Sequence, residues 1–122
     1  MSRGGLSVRT LVDESGRVVC EHCEVTASSL QRMRGLLGRK GLGENEGMLI
    51  TRTSSVHTAF MAFPMDAVFL DKQLRVRKIV PAMRPWRAAW KRGCKSVLEL
   101  AGGEAERAGI VVGSRLSWRD NQ

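Results

Sequence analysis

The stretch Asp66-Ala67-Val68-Phe69-Leu70-Asp71-Lys72-Gln73-Leu74-Arg75-Val76-Arg77-Lys78-Ile79-Val80 decides the fold. Residues 66–71 are rich in apolar side chains that favour strands. Asp71-Lys72-Gln73 reads as a turn, and 74–80 returns with alternating apolar and basic residues, so the pattern is a β-hairpin. Working outward, 6–12 (LSVRTLV) and 17–25 (RVVCEHCEV) also alternate, and Asp13-Glu14-Ser15-Gly16 supplies the turn of an N-terminal hairpin. Residues 48–50, 55–61 and 95–100 read as further short strands, and 110–118 as a last one interrupted at Gly113.

The period changes at 28–38. There Leu30, Met33 and Leu36/Leu37 recur at helical spacing, and Ser28 with Gln31 fits a capping box. Residues 84–93 stay open between helix and loop: Pro85 and Gly93 bracket the segment, and Trp86 and Trp90 lie one turn apart. Glu104 to Ala108 is at most one helical turn, closed by Gly109. The expected fold class is α+β and mainly β: a small antiparallel sandwich or barrel-like domain with one amphipathic helix at about 28–38.

The 122 residues suit one domain over 1–122, and 43% hydrophobic against 26% charged residues excludes a mostly disordered chain. No apolar run follows Met1 and no stretch approaches a membrane span, so a cytoplasmic protein is expected. The net charge is +8. Residues 1–71 balance eight basic against eight acidic side chains, and 96–122 hold three against four. The excess therefore lies in 72–95, where nine Lys and Arg stand without one acid.

That run also carries two tryptophans. As a polyanion site it would use Arg75, Arg77, Lys78, Arg84, Trp86, Arg87, Trp90, Lys91 and Arg92, with cations neutralising phosphates and indoles stacking or sitting at headgroups. The plainer reading is a solvated hairpin face with both tryptophans covering the core. No nucleic-acid signature motif accompanies the run.

Cys20-Glu21-His22-Cys23 has the spacing of half a zinc site, which Cys94, His22 or His57 would have to complete. In a regular strand, residues three apart point to opposite faces, so Cys20 and Cys23 share a metal only across a bulge or turn. No metal and no cofactor is expected, and the cysteines read as structural. His57, Asp66 and Glu99 are the candidates for acid–base chemistry. On strand parity Asp66 shares a side with Val68 and Leu70. A carboxylate there needs Arg, His or backbone amides as a partner, and His57 is one option. No nucleophile elbow or phosphate loop is present.

Several ordered motifs carry a family resemblance: Arg34-Gly35-Leu36-Leu37-Gly38-Arg39, Gly47-Met48-Leu49-Ile50, His57-Thr58-Ala59-Phe60-Met61 through Pro64-Met65-Asp66-Ala67-Val68-Phe69-Leu70-Asp71, Pro85-Trp86-Arg87, Val97-Leu98-Glu99-Leu100 with Ala101-Gly102, and Gly109-Ile110 through Gly113. Over about residues 17–118 the chain resembles the family known as domain of unknown function 192. The resemblance implies a small, mainly β, bacterial or archaeal domain with one helix carrying the RGLLGR-like motif, and no established activity. Cys20, Cys23 and the two-tryptophan spacing lie outside the family pattern.

The readings of function are three. The first is a non-enzymatic binding or accessory module, with a basic surface at 72–95 and a polar site near His57 and Asp66, meeting a polyanion or a protein. The second is a small hydrolase-like enzyme using His57 with Asp66 or Glu99. The third is nonspecific nucleic-acid binding through the basic run.

Overall fold

The computed structural model describes residues 7–27, 42–43, 45–58 and 63–119. The helix expected at 28–38 lies outside them. The elements are β1 (Ser7–Asp13), β2 (Val18–Thr26), β3 (Glu46–Thr51), β4 (Ser55–His57), β5 (Met65–Leu70), β6 (Val76–Met83), β7 (Ala88–Trp90), β8 (Ser96–Ala101), α1 (Glu104–Arg107) and β9 (Leu116–Trp118). The protein is mainly β, as expected, and α1 is the single turn anticipated at 104–108.

Both hairpins form where the turn chemistry placed them. Asp13 Oδ1 accepts the amides of Ser15 and Arg17, and Asp71 Oδ1 accepts those of Gln73 and Arg75, so each aspartate fixes its turn through the same pair of bonds. Gly16 completes the first turn at φ 87°, a conformation that favours glycine.

Seven strands form one sheet in the order β6-β5-β8-β3-β2-β1-β9, and β4 pairs with β7 in a separate two-stranded sheet. The pairings are antiparallel except β2 with β3, which run parallel. That pair departs from the antiparallel expectation, and parallel neighbours require a crossover rather than a hairpin. The large sheet wraps one core. Leu11, Val19, Leu49, Val68, Leu98 and Leu116, from six of the strands, share a buried cluster. Its edges approach where Arg75 bridges Arg115, but the sheet is not closed into a barrel.

The other face of the central strands is covered as well. Ala67, Phe69 and Val97 pack against Val56 of β4 and Ala89 of β7. Every residue of β5 is therefore buried. Gly47 marks the tightest approach in this region. A Cβ there would meet Leu100 Cδ2 at 2.8 Å, Cys20 Sγ at 2.9 Å and the Glu99 carbonyl oxygen at 3.0 Å.

Two sequence expectations change locally. Residues 84–93 are neither helix nor plain loop, because Ala88–Trp90 pairs with Ser55–His57 as a short strand. Within 110–118, only Leu116–Trp118 is strand.

Candidate functional site

The acid–base candidates are not brought together. Pairing places Asp66 opposite Leu100 and Glu99 opposite Ala67, so the two carboxylates point to opposite faces of the sheet. Both are buried. Of the partners open to Asp66, the structure uses backbone amides. Oδ1 accepts from Ala82 (2.8 Å) and Gly103 (3.1 Å), and Oδ2 accepts from Ala105 (2.8 Å). His57 is not among them. It is exposed in β4, while its neighbour Val56 turns inward, so His57 stands on the outer side of the two-stranded sheet.

That outer side belongs to the basic run. In β7, Ala89 points inward, and Ala88 and Trp90 point outward beside His57 and Ser55. Trp86 is 62% exposed and Trp90 67%, so neither covers the core. The loop before β7 is held by Thr58, which is fully buried. The Thr58 hydroxyl donates to the Arg84 carbonyl (2.6 Å) and accepts from the Arg87 amide (2.8 Å). Its backbone amide donates to the Arg87 carbonyl (2.8 Å), and its carbonyl accepts from the Trp86 amide (3.0 Å). Trp86 sits at φ 63°. A bulky residue in that region costs on the order of 1–2 kcal/mol and persists only where its surroundings enforce it. The four Thr58 contacts supply that enforcement.

The candidate cations divide into two groups. In the first, Arg75 donates to the Gly113 carbonyl, Arg77 lies 3.7 Å from Asp71, and Lys78 donates to the Trp90 carbonyl. These side chains tie neighbouring segments to β6. In the second, Arg84, Arg87, Lys91 and Arg92 are all exposed and share residues 84–92 with both tryptophans. Charge and exposed aromatic surface therefore coincide only in the second half of the run.

The cysteines correct the regular-strand expectation. The register between β1 and β2 shifts between Arg9, opposite Cys23, and Leu11, opposite Cys20. This bulge turns Glu21 and His22 outward and buries both thiols in one cluster. The adjacent Cys20 thiol, and then burial, hold the Cys23 thiol well above its ordinary range, which leaves it a poor nucleophile. Cys94 packs in the cluster on the other face of the sheet, and His22 is exposed next to Glu21. Among the described residues, no three His, Cys, Asp or Glu side chains converge to cage a metal.

One cavity of about 310 Å³ lies between β6 and the 103–111 segment. Ile79, Pro81, Ile110 and Val111 form its walls, and Asp66 and Glu106 are its acidic members. Sequence reading missed it, because its walls come from segments far apart in the chain and only Asp66 carried a signal.

The model of domain of unknown function 192, described as Uncharacterized ACR, matches residues 10–118. The chain belongs to this family. No curated protein matches it. A protein of unknown function from Novosphingobium aromaticivorans is similar in structure, with a TM-score of 0.76 and 28% identity, over 93% of this chain and 85% of that one. A Sinorhizobium meliloti protein described as a "putative transcription regulator" is similar at a TM-score of 0.75 and 26% identity, over 96% of this chain and 98% of that one. Among the described residues of this family member, no helix is long and apolar enough to cross a membrane.

Proposed function

We propose that this protein is a non-enzymatic binding module whose contact face, residues 84–92 with His57 beside them, holds a phosphate-bearing polyanion. One observation carries the reading: Trp86 and Trp90 are exposed among Arg84, Arg87, Lys91 and Arg92, with no acid in the segment. Cations attract phosphates regardless of sequence, and exposed indoles give bases a surface to stack on. The combination favours a single nucleic-acid strand over a purely ionic partner. The Sinorhizobium meliloti neighbour's description as a "putative transcription regulator" is in keeping with a nucleic-acid partner. The separate burial of Asp66 and Glu99, with His57 outside, supports binding rather than acid–base chemistry.

The test is titration of the protein with a short single-stranded oligonucleotide across a salt series, read by tryptophan fluorescence. Binding should strengthen as salt falls, with a log–log slope of about −0.7 per phosphate neutralised. The double variant Arg87→Glu/Lys91→Glu should melt like the parent and lose that binding. A parent that fails to bind at low salt, or a charge-reversed variant that binds equally well, ends the proposal.

A further inference from the structure

We infer that the cavity floored by Asp66 is a binding site for a small organic ammonium with a compact apolar body. The site is independent of the basic face and selects the opposite charge. Its volume of about 310 Å³ stands at the lower end of the range for small-molecule sites. Ile79, Pro81, Ile110 and Val111 give it apolar walls, which suit a hydrocarbon or ring.

The polar side of the cavity is one-signed. Asp66 is only 1% exposed, and its three partners among the described residues are all donors. Among the described residues, two amides converge on Oδ1 and one, that of Ala105, reaches Oδ2. A carboxylate has roughly four acceptor positions, so one on Oδ2 remains for a donor. A buried carboxylate also favours a cation, and among the described residues no basic side chain lines this cavity. The cations nearby are engaged elsewhere. Arg17 donates to the Arg107 carbonyl and lies against Gly109, and Arg107 is forked onto Glu104. Glu106, the other acid of the lining, adds to the attraction for positive charge and the rejection of anions. An ammonium placed at Oδ2 gains a charge-assisted hydrogen bond, which is roughly twice as strong as a neutral one.

Three probes of one shape separate charge from shape: benzylammonium, benzyl alcohol and benzoate, each titrated into the full chain and followed by amide NMR shifts. Benzylammonium should bind and move the Gly103, Ala105 and Val111 amides. Benzyl alcohol should bind about tenfold or more weakly, and benzoate not at all. Asp66→Asn risks the fold, so the decisive variant is Val111→Lys, at a residue 63% exposed. It sets a cation in the wall, should melt like the parent, and should weaken benzylammonium about tenfold or more. Equal binding of benzylammonium and benzyl alcohol would mean an apolar cavity without charge selection and would overturn the inference. So would the absence of benzylammonium binding at millimolar concentration, or unchanged binding by a folded Val111→Lys.

Discussion

Asp66 and Thr58 are both fully buried polar side chains that grip backbone amides or carbonyls of distant segments, yet they hold different parts of the molecule. Asp66 draws β6, the 102–103 turn and α1 onto the central sheet, beneath the cavity it lines. Thr58 draws a loop whose outer surface is Trp86 with the exposed Arg84 and Arg87. The same chemistry therefore holds a fold together in one place and holds a surface open in the other. Polar burial by itself does not tell a structural network from a functional one. What lies on the far side of the bonds does.

The largest effect should follow the loss of Asp66. Asp66→Ala leaves the amides of Ala82, Gly103 and Ala105 without their acceptor. The buried Ala105 amide alone costs about 1–3 kcal/mol, and the partly buried Ala82 and Gly103 amides add to it, so the total should be about 3 kcal/mol. That corresponds to a fall of roughly 10 °C or more in Tm. Oligonucleotide affinity per folded molecule should stay at the parent value. A variant that melts like the parent would remove Asp66 from its anchoring role.

A smaller effect should follow Thr58→Val, which keeps the side chain's shape but deletes the hydroxyl. The Arg84 carbonyl and Arg87 amide each lose that partner, at a cost of about 1–2 kcal/mol in thermal or chemical unfolding. Here stability and binding should fall together, because the Trp86 loop loses its clamp, and Thr58→Ser should restore both. If Thr58→Val unfolds more easily yet binds the oligonucleotide as the parent does, Thr58 resembles Asp66 and the contrast between the two regions fails.

The sequence pattern made part of this visible. Both hairpins were legible because Asp13 and Asp71 sit at turns set by local side-chain-to-backbone bonds. Asp66 was readable as a core-side carboxylate from its parity with Val68 and Leu70. Its true partners were not, because they are main-chain amides as many as 39 residues away and carry no residue-type signal. The Cys20–Cys23 pair misled for a related reason: parity assumes a regular strand, and the bulge opposite Arg9–Leu11 is set by pairing with β1. The exposure of Trp86 and Trp90 was equally hidden. Composition predicts burial for indoles, whereas the β4–β7 register turns Trp90 outward and the Thr58 contacts fix the loop that carries Trp86.

The smallest effect lies on α1 itself, which Asp66 holds from below through the Ala105 amide and Glu104 braces from outside. The Arg107 hydrogen bond is the main cause that lowers the Glu104 carboxyl pKa from its ordinary value. A lowered carboxylate pKa contributes stability above the unfolded value of about 4.3, and that stability is lost as pH falls through the lower folded value. Glu104→Gln should therefore cost only about 0.2–0.5 kcal/mol near neutral pH, the usual worth of such a pair one turn apart. The gap between parent and variant in urea unfolding should close as the pH falls below the ordinary carboxylate range and through the lowered folded value. This sharpens the central comparison, because one short helix carries a partly exposed ionic brace and a buried amide donor to Asp66 side by side. If Glu104→Gln destabilises as much as Asp66→Ala, or its gap survives at low pH, α1 is held by its surface ion pair and not by the core.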